Sequence, residues 1–233
     1  MRRGVAARAA FTVFGVIAAV HLLAQLVAAD SLVGEVSQWL LMPALALGLL
    51  ASTTSPRPRL VRLTLLALLF SWLGDAAPDL FTGDTAFLVL VGFFLCAQLT
   101  YIVAFLPYRH HSVRQTRRWV LAVAGAAVVA LVVACTPGAG VLVVPVAIYG
   151  LCLAAMAVLA TGVDRAAAVG AVLFVISDAL IALRAFVEGF ALPASGFWVM
   201  STYIAAQALL VLGVLTAVAR PPVMRHRGSV PPR

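Results

Sequence analysis

Residues 173–186 read LFVISDALIALRAF, an apolar segment holding one carboxylate, Asp178, and one arginine, Arg184, six positions later. Residues 69–81, LFSWLGDAAPDLF, present the same pattern around Asp75. Both lie in apolar runs of the length needed to cross a bilayer, where about 20 residues of helix span a hydrocarbon core of about 30 Å. The rest of the chain is of the same kind. Of its 233 residues, 64% are hydrophobic and 10% are charged, and mean hydropathy is +1.11. Water-soluble domains are only about half apolar, so this composition leaves no room for a separate soluble domain.

Apolar runs between polar, Pro or Gly breaks predict an all-α, polytopic integral membrane helical bundle of eight transmembrane helices. Their approximate limits are 8–29, 36–54, 60–78, 85–106, 118–136, 141–161, 166–187 and 197–219. Residues 1–233 then form a single transmembrane domain ending in a basic tail at 220–233. Charge sets the orientation. Fifteen of the sixteen arginines fall on one side of the eight-span arrangement, and Arg184 lies within a span. The opposite loops carry Asp30, Glu35, Asp79, Asp84 and Glu188 and no arginine. The positive-inside rule places both termini in the cytoplasm of a multi-pass protein of the inner (plasma) membrane. The basic balance is thereby a topology signal, and no nucleic-acid partner is expected. Val27-Ala28-Ala29 has the small-residue character of a signal-peptidase site, but the preceding apolar run exceeds the usual 7–15 residues of a signal core, which favours a retained first helix.

The two aspartate segments align with one residue of slack: Leu69-Phe70 and Gly74-Asp75-Ala76 against Leu173-Phe174 and Ser177-Asp178-Ala179. Each is followed by a returning span with a Tyr and a Gln: Gln98 and Tyr101 in one case, Tyr203 and Gln207 in the other. A 4+4 internal repeat would explain the correspondence. The opposite order of Tyr and Gln leaves chance similarity between apolar helices as the alternative. At about 1.5 Å per residue, Asp178 lies about 18 Å into its span and Asp75 about 22 Å into its own. With Gln98, Tyr101, Tyr203 and Gln207 at compatible depths, these groups can converge on one intramembrane cavity.

A charge at the centre of a span costs at least about 2.5–3.5 kcal/mol and normally faces the bundle interior with a task to perform. Asp75 and Asp178 are therefore candidate functional residues, the competing reading being a protonated carboxyl that only bonds one helix to another. Ser71, one turn before Asp75, can orient it or return a bond to its own backbone. Tyr101, Tyr149 and Tyr203 are candidate substrate-binding groups or interfacial aromatics. Gln98 and Gln207 are candidate ligands or interhelical bonds. Ser177 shares a helix face with Arg184, whereas Arg184 lies about 120° round the helix from Asp178 and within a turn of the interface, so snorkelling competes with a role in the site. His21 and Gln25, one turn apart on the first span, read as packing. His110 and His111 read as solvated. Cys96, Cys135 and Cys152 have no metal-ligand or CxxC spacing. No HExxH, GxSxG, phosphate-loop or dinucleotide motif occurs, and neither a metal nor a cofactor is expected.

The segments LLFSWLGDAAPDLF, FLVLVGFFLCAQLTYIVAF, YGLCLAAM with Tyr149, GAVLFVISDALIALRAF and MSTYIAAQALLVLG resemble the YhhN-type lysoplasmalogenase family, small eight-span membrane enzymes, over about residues 40 to 217. The family often has His where this chain has Gln98, and Lys-Pro where it has Met42-Pro43. The resemblance implies an ether hydrolase acting on a lysophospholipid substrate, cleaving the vinyl ether of a lysoplasmalogen to a fatty aldehyde and a glycerophospho-base. Two carboxyls suit that reaction, one as general acid toward the alkenyl carbon and one as base toward water, as carboxyl pairs serve glycoside hydrolysis. Asp75 and Asp178 would fill these roles, with Tyr101, Tyr203 and Gln207 orienting ether and water. Two other classes remain at this stage. A small-molecule or proton-coupled transporter also places carboxylates at mid-membrane, usually among Gly/Pro-broken helices; here Pro43 and Pro145 read as lying near span starts. A lipid-binding protein could keep the fold without chemistry.

Overall fold

The computed structural model describes residues 2–117 and 119–220. Of the expected basic tail, 221–233 with Arg225, Arg227 and Arg233 lies outside the described residues, as does Arg118. Among the described residues all regular structure is helical. The long helices are α1 (Arg2–Val27), α2 (Leu32–Ser52), α3 (Arg59–Ala76), α4 (Gly83–Phe105), α5 (Trp119–Ala139), α6 (Val143–Ala160), α7 (Arg165–Phe186) and α8 (Ser195–Ala219). Short helical turns at Ala77–Leu80, Leu106–His111 and Val113–Thr116 fill the connections.

Seven continuous helical stretches are long and apolar enough to cross a membrane, and one of them, Trp119–Ala160, runs to 42 residues. That stretch is a hairpin. Gly140 at its bend has φ +50°, a left-handed conformation that glycine adopts without steric cost. A Cβ on Gly150 would lie 3.3 Å from Val128, so the arms α5 and α6 run side by side. The chain is a polytopic helical membrane protein, and its packing is the reverse of a soluble fold. Exposed positions include Val13, Leu23, Leu47, Leu66, Val129, Val169 and Leu212, while His21, Ser71, Asp75, Gln98, Ser177, Asp178 and Gln207 are buried. In lipid the apolar exterior costs nothing, and polar groups that need partners collect where another helix can supply them.

Local signals start and stop the helices where the chain must turn. Ser31 caps α2 by accepting from the Gly34 amide at 3.2 Å, and Asp164 caps α7 by accepting from the Ala166 amide at 2.8 Å. Pro43 falls in the middle of α2, not near the start of a span as the sequence suggested, because α2 begins at Leu32, four residues before the expected limit. The helix continues through it, so a proline inside a span does not by itself break this bundle. Pro145 does sit in the first turn of α6, where its missing N–H is no loss.

The other consecutive helices pair as hairpins, but among the described residues α4 and α5 do not touch: α4 packs on α6 and α5 on α7, while α8 runs through the centre, touching α1, α2, α3 and α7. Small residues let α7 and α8 approach closely. A Cβ on Gly170 would lie 2.7 Å from the Ala206 carbonyl oxygen, and one on Gly213 would lie 2.6 Å from the Ala167 amide nitrogen. With lipid equally apolar outside, such contact distances, rather than burial from water, hold the helices together. The two ends of the bundle differ. At one, Arg220 pairs with Asp164 and donates to the Val163 carbonyl at 3.3 Å, while Gly162 packs on the Tyr108 and Ser112 backbone. At the other, the Trp39 indole donates to Asp79 at 2.9 Å and Gly196 abuts Gln25.

Candidate functional site

Asp75 is the penultimate residue of α3, and Asp178 lies eight residues before the end of α7. Both helices run toward the same end of the bundle, and both carboxyls border one cavity of about 450 Å3. The residues are nearly enclosed, Asp75 being 6% and Asp178 9% exposed. Each carboxyl accepts one hydrogen bond from a tyrosine. The Tyr203 hydroxyl, from α8, donates to Asp75 at 2.8 Å, and the Tyr149 hydroxyl, from α6, donates to Asp178. Among the described residues the other oxygen of each carboxyl has no protein partner, and neither is shut away from the cavity. A carboxyl held by one donor on one side and open on the other is placed to give or take a proton there.

A second layer lies behind Asp75. The Tyr101 hydroxyl donates to the Gln207 side-chain oxygen at 2.8 Å, and the Gln207 amide donates to Ser71 Oγ at 2.9 Å. Ser71 is one turn before Asp75, and Gln207 one turn after Tyr203. The chain Tyr101–Gln207–Ser71 thereby ties α4, α8 and α3 together at the level that carries the Asp75–Tyr203 pair. Phe94 and Phe174 brace the Tyr203 ring edge-on, each with centroids 5.6 Å away.

Of the residues singled out from sequence, Asp75, Asp178, Ser177 and Tyr203 line the cavity. Tyr149 instead borders a smaller, apolar recess of about 40 Å3 that adjoins the cavity and shares Asp178 with it, among Leu131, Val146 and Leu153. Ser71, Tyr101 and Gln207 form the supporting layer. Ser177 donates to the Val199 carbonyl at 3.0 Å, so part of its hydrogen-bonding capacity is spent on holding α7 to α8. Gln98 is fully buried, with both amide atoms unpartnered among the described residues. The hydrogen bonds do not repeat with the 4+4 pattern. Where Tyr203 reaches Asp75, the corresponding Tyr101 reaches Gln207 rather than Asp178, which is served by α6.

Four cavity-lining polar groups were not picked out as site residues: Gln25, Gln38, Asp79 and Arg184. Gln38 donates to the Asp75 backbone carbonyl at 3.4 Å, bracing the last turn of α3. Its signal was available, an amide within an apolar run. Arg184 borders the same cavity as Asp178 in spite of the 120° between them, since a long side chain bridges that angle. His21 is a structural group: its Nδ1 meets Ser37 Oγ at 2.9 Å and the Gly34 carbonyl at 3.2 Å, joining α1 to α2.

The chain is similar to the curated lysoplasmalogenase TMEM86B of Rattus norvegicus, with 46% identity over 74 residues, 32% of this chain and 31% of that one. The match thus spans about a third of the relative's length. No solved structure matches. The model of the YhhN family matches residues 35–214, a stretch that includes both aspartates, the tyrosines that hold them and the Gln207 layer, and the chain belongs to that family.

Proposed function

We propose that this protein is a lysoplasmalogenase-like hydrolase that cleaves the vinyl ether of a 1-alkenyl lysophospholipid, with Asp75 and Asp178 as its acid and base. The observation that carries the reading is the pair of buried carboxyls on one cavity, each gripped by a tyrosine and open on its other oxygen. The named activity of the rat relative supports the substrate class.

The chemistry balances with water alone. One carboxylic acid gives its proton to the alkenyl carbon distal to the ether oxygen, leaving an oxocarbenium-like cation. The other carboxylate takes a proton from water as its oxygen bonds to the carbon beside the ether oxygen, forming a hemiacetal. That hemiacetal collapses: its hydroxyl gives its proton to the first carboxylate, restoring the acid, the second carboxyl returns the proton it took from water to the glycerol oxygen as the C–O bond breaks, and a fatty aldehyde and a glycerophospho-base leave. Low exposure limits competing water, and a nearby carboxylate stabilises the cation. The tyrosine donors fix the carboxyl orientations. The apolar recess beside Asp178 suits the first carbons of the alkenyl chain. In the cell the arginine-rich end would face the cytoplasm and the cavity the opposite side of the plasma membrane.

The test is aldehyde release from a 1-alkenyl lysophospholipid by the full chain in detergent, alongside Asp75→Asn and Asp178→Asn. Each substitution should lower the rate by about 10²–10⁴-fold, the usual contribution of a positioned acid or base. Full turnover in either well-folded variant would sink the assignment.

A further inference from the structure

Arg184 is the third residue from the end of α7, is exposed, and is the one cation among the described residues that line the cavity. The same lining holds three carboxyls, Asp75, Asp79 and Asp178. Among the described residues the guanidinium makes neither a hydrogen bond nor an ion pair; the ion pair found is Arg220 with Asp164, at the other end of the bundle. A site lined by carboxyls disfavours the phosphodiester anion of a phospholipid headgroup unless a cation meets its charge, and arginine's planar fork matches phosphate oxygens.

The spacing matches a lysophospholipid. From Asp178 to Arg184 the helix rises over six residues, about 9 Å at 1.5 Å each. In a 1-alkenyl lysophospholipid seven bonds separate phosphorus from the carbon that must be protonated, about 8 Å at the advance per bond of an extended chain. We propose that Arg184 forms a phosphate subsite at the outer rim of the cavity, holding the phosphodiester of a lysophospholipid while its sn-1 linkage lies at Asp178. The inference rests on the lysophospholipid reading above and adds the group that recognises the phosphate.

Binding tests it without turnover. The probes are a 1-O-alkyl lysophosphoethanolamine, whose saturated ether has no alkenyl carbon to protonate, and the matching 1-O-alkylglycerol, which lacks the phosphate. Affinity for each is measured by calorimetry on the full chain in detergent, for wild type, Arg184→Gln and Arg184→Lys. Wild type should prefer the phosphate-bearing probe by about tenfold or more, since a charge-assisted contact is lost with the neutral one. Arg184→Gln should abolish that preference while leaving alkylglycerol affinity unchanged, and Arg184→Lys should keep part of it. A preference that survives in Arg184→Gln, or none in wild type, overturns the subsite and leaves Arg184 as a contact to bilayer headgroups. Aldehyde release from the alkenyl substrate separates the two readings. An Arg184-dependent preference without any aldehyde would leave the subsite standing and remove the hydrolase assignment.

Discussion

Tyr203→Phe isolates one bond. The substitution keeps the ring that packs edge-on against Phe94 and Phe174 and deletes only the hydroxyl that donates to Asp75 at 2.8 Å. Tyr203 is 3% exposed, so the ring stays packed in place when the hydroxyl is removed. A hydrogen bond to a charged or charge-developing group contributes about 1.5–3 kcal/mol. If Asp75 cycles between carboxylate and carboxylic acid, the tyrosine favours one form, and its loss changes the barrier by an amount of that order. At tenfold per 1.4 kcal/mol, kcat/KM should fall about ten- to hundredfold. The assay is aldehyde formation, followed by NADH consumption through a coupled alcohol dehydrogenase, with thermal unfolding in the same detergent to show that the fold survives. Tyr101→Phe is the control, because its hydroxyl reaches Gln207 and no carboxyl. Equal activities of wild type and Tyr203→Phe would refute the idea that the tyrosine sets the state of Asp75. Equal losses in Tyr203→Phe and Tyr101→Phe would show that the whole layer matters rather than the bond to the carboxyl.

Gln207→Leu removes the centre of the layer behind the site, leaving the Tyr101 hydroxyl and Ser71 without their partner; unfolding should come at lower temperature, with a loss of about 1–3 kcal/mol, and an unchanged midpoint would mean that the layer adds no stability. Gly170→Val inserts a side chain where even a Cβ would lie 2.7 Å from the Ala206 carbonyl oxygen and 2.9 Å from the Leu210 amide nitrogen. Neither backbone atom can swing away, so α7 and α8 must separate, at about 1–3 kcal/mol or more; wild-type thermal stability would contradict that contact. Cysteines introduced at Asp84 and Arg165 in a background free of the native cysteines should react differently with a membrane-impermeant maleimide on intact cells, the first labelled and the second protected. The reverse pattern would invert the proposed orientation.

How far the site could be read from sequence follows from the geometry of helices that are apolar on nearly every face. Depth is legible, because rise per residue is fixed: Asp75, Asp178, Tyr203 and Gln207 stand out as polar groups at related heights. Azimuth is not, because a span without an amphipathic stripe gives no clue to which face meets which neighbour. That is why Arg184 reads as turned away from Asp178 although both border the cavity, and why Tyr149 could be noticed without its partner being foreseen. Gln38 and Asp79 matter through contacts with residues about forty positions distant, which no local pattern encodes. The arms of the Trp119–Ala160 hairpin form an unbroken apolar helical stretch in which one glycine conformation makes the difference between one pass and two.

The sequence separation of the two aspartate–tyrosine bonds has a consequence for the time at which the protein is made. Asp178 emerges from the ribosome 29 residues after Tyr149, so the deeper carboxyl enters the membrane with its donor already present. Asp75 emerges 128 residues before Tyr203. At about 5–20 residues per second of synthesis, it waits roughly 6 to 25 s for the helix that carries its partner. The carboxyl that must wait is the penultimate residue of its helix, and the one set eight residues inside its helix does not wait at all. The order of the helices along the chain thus keeps the costlier of the two charges from being stranded in lipid while the nascent protein is incomplete.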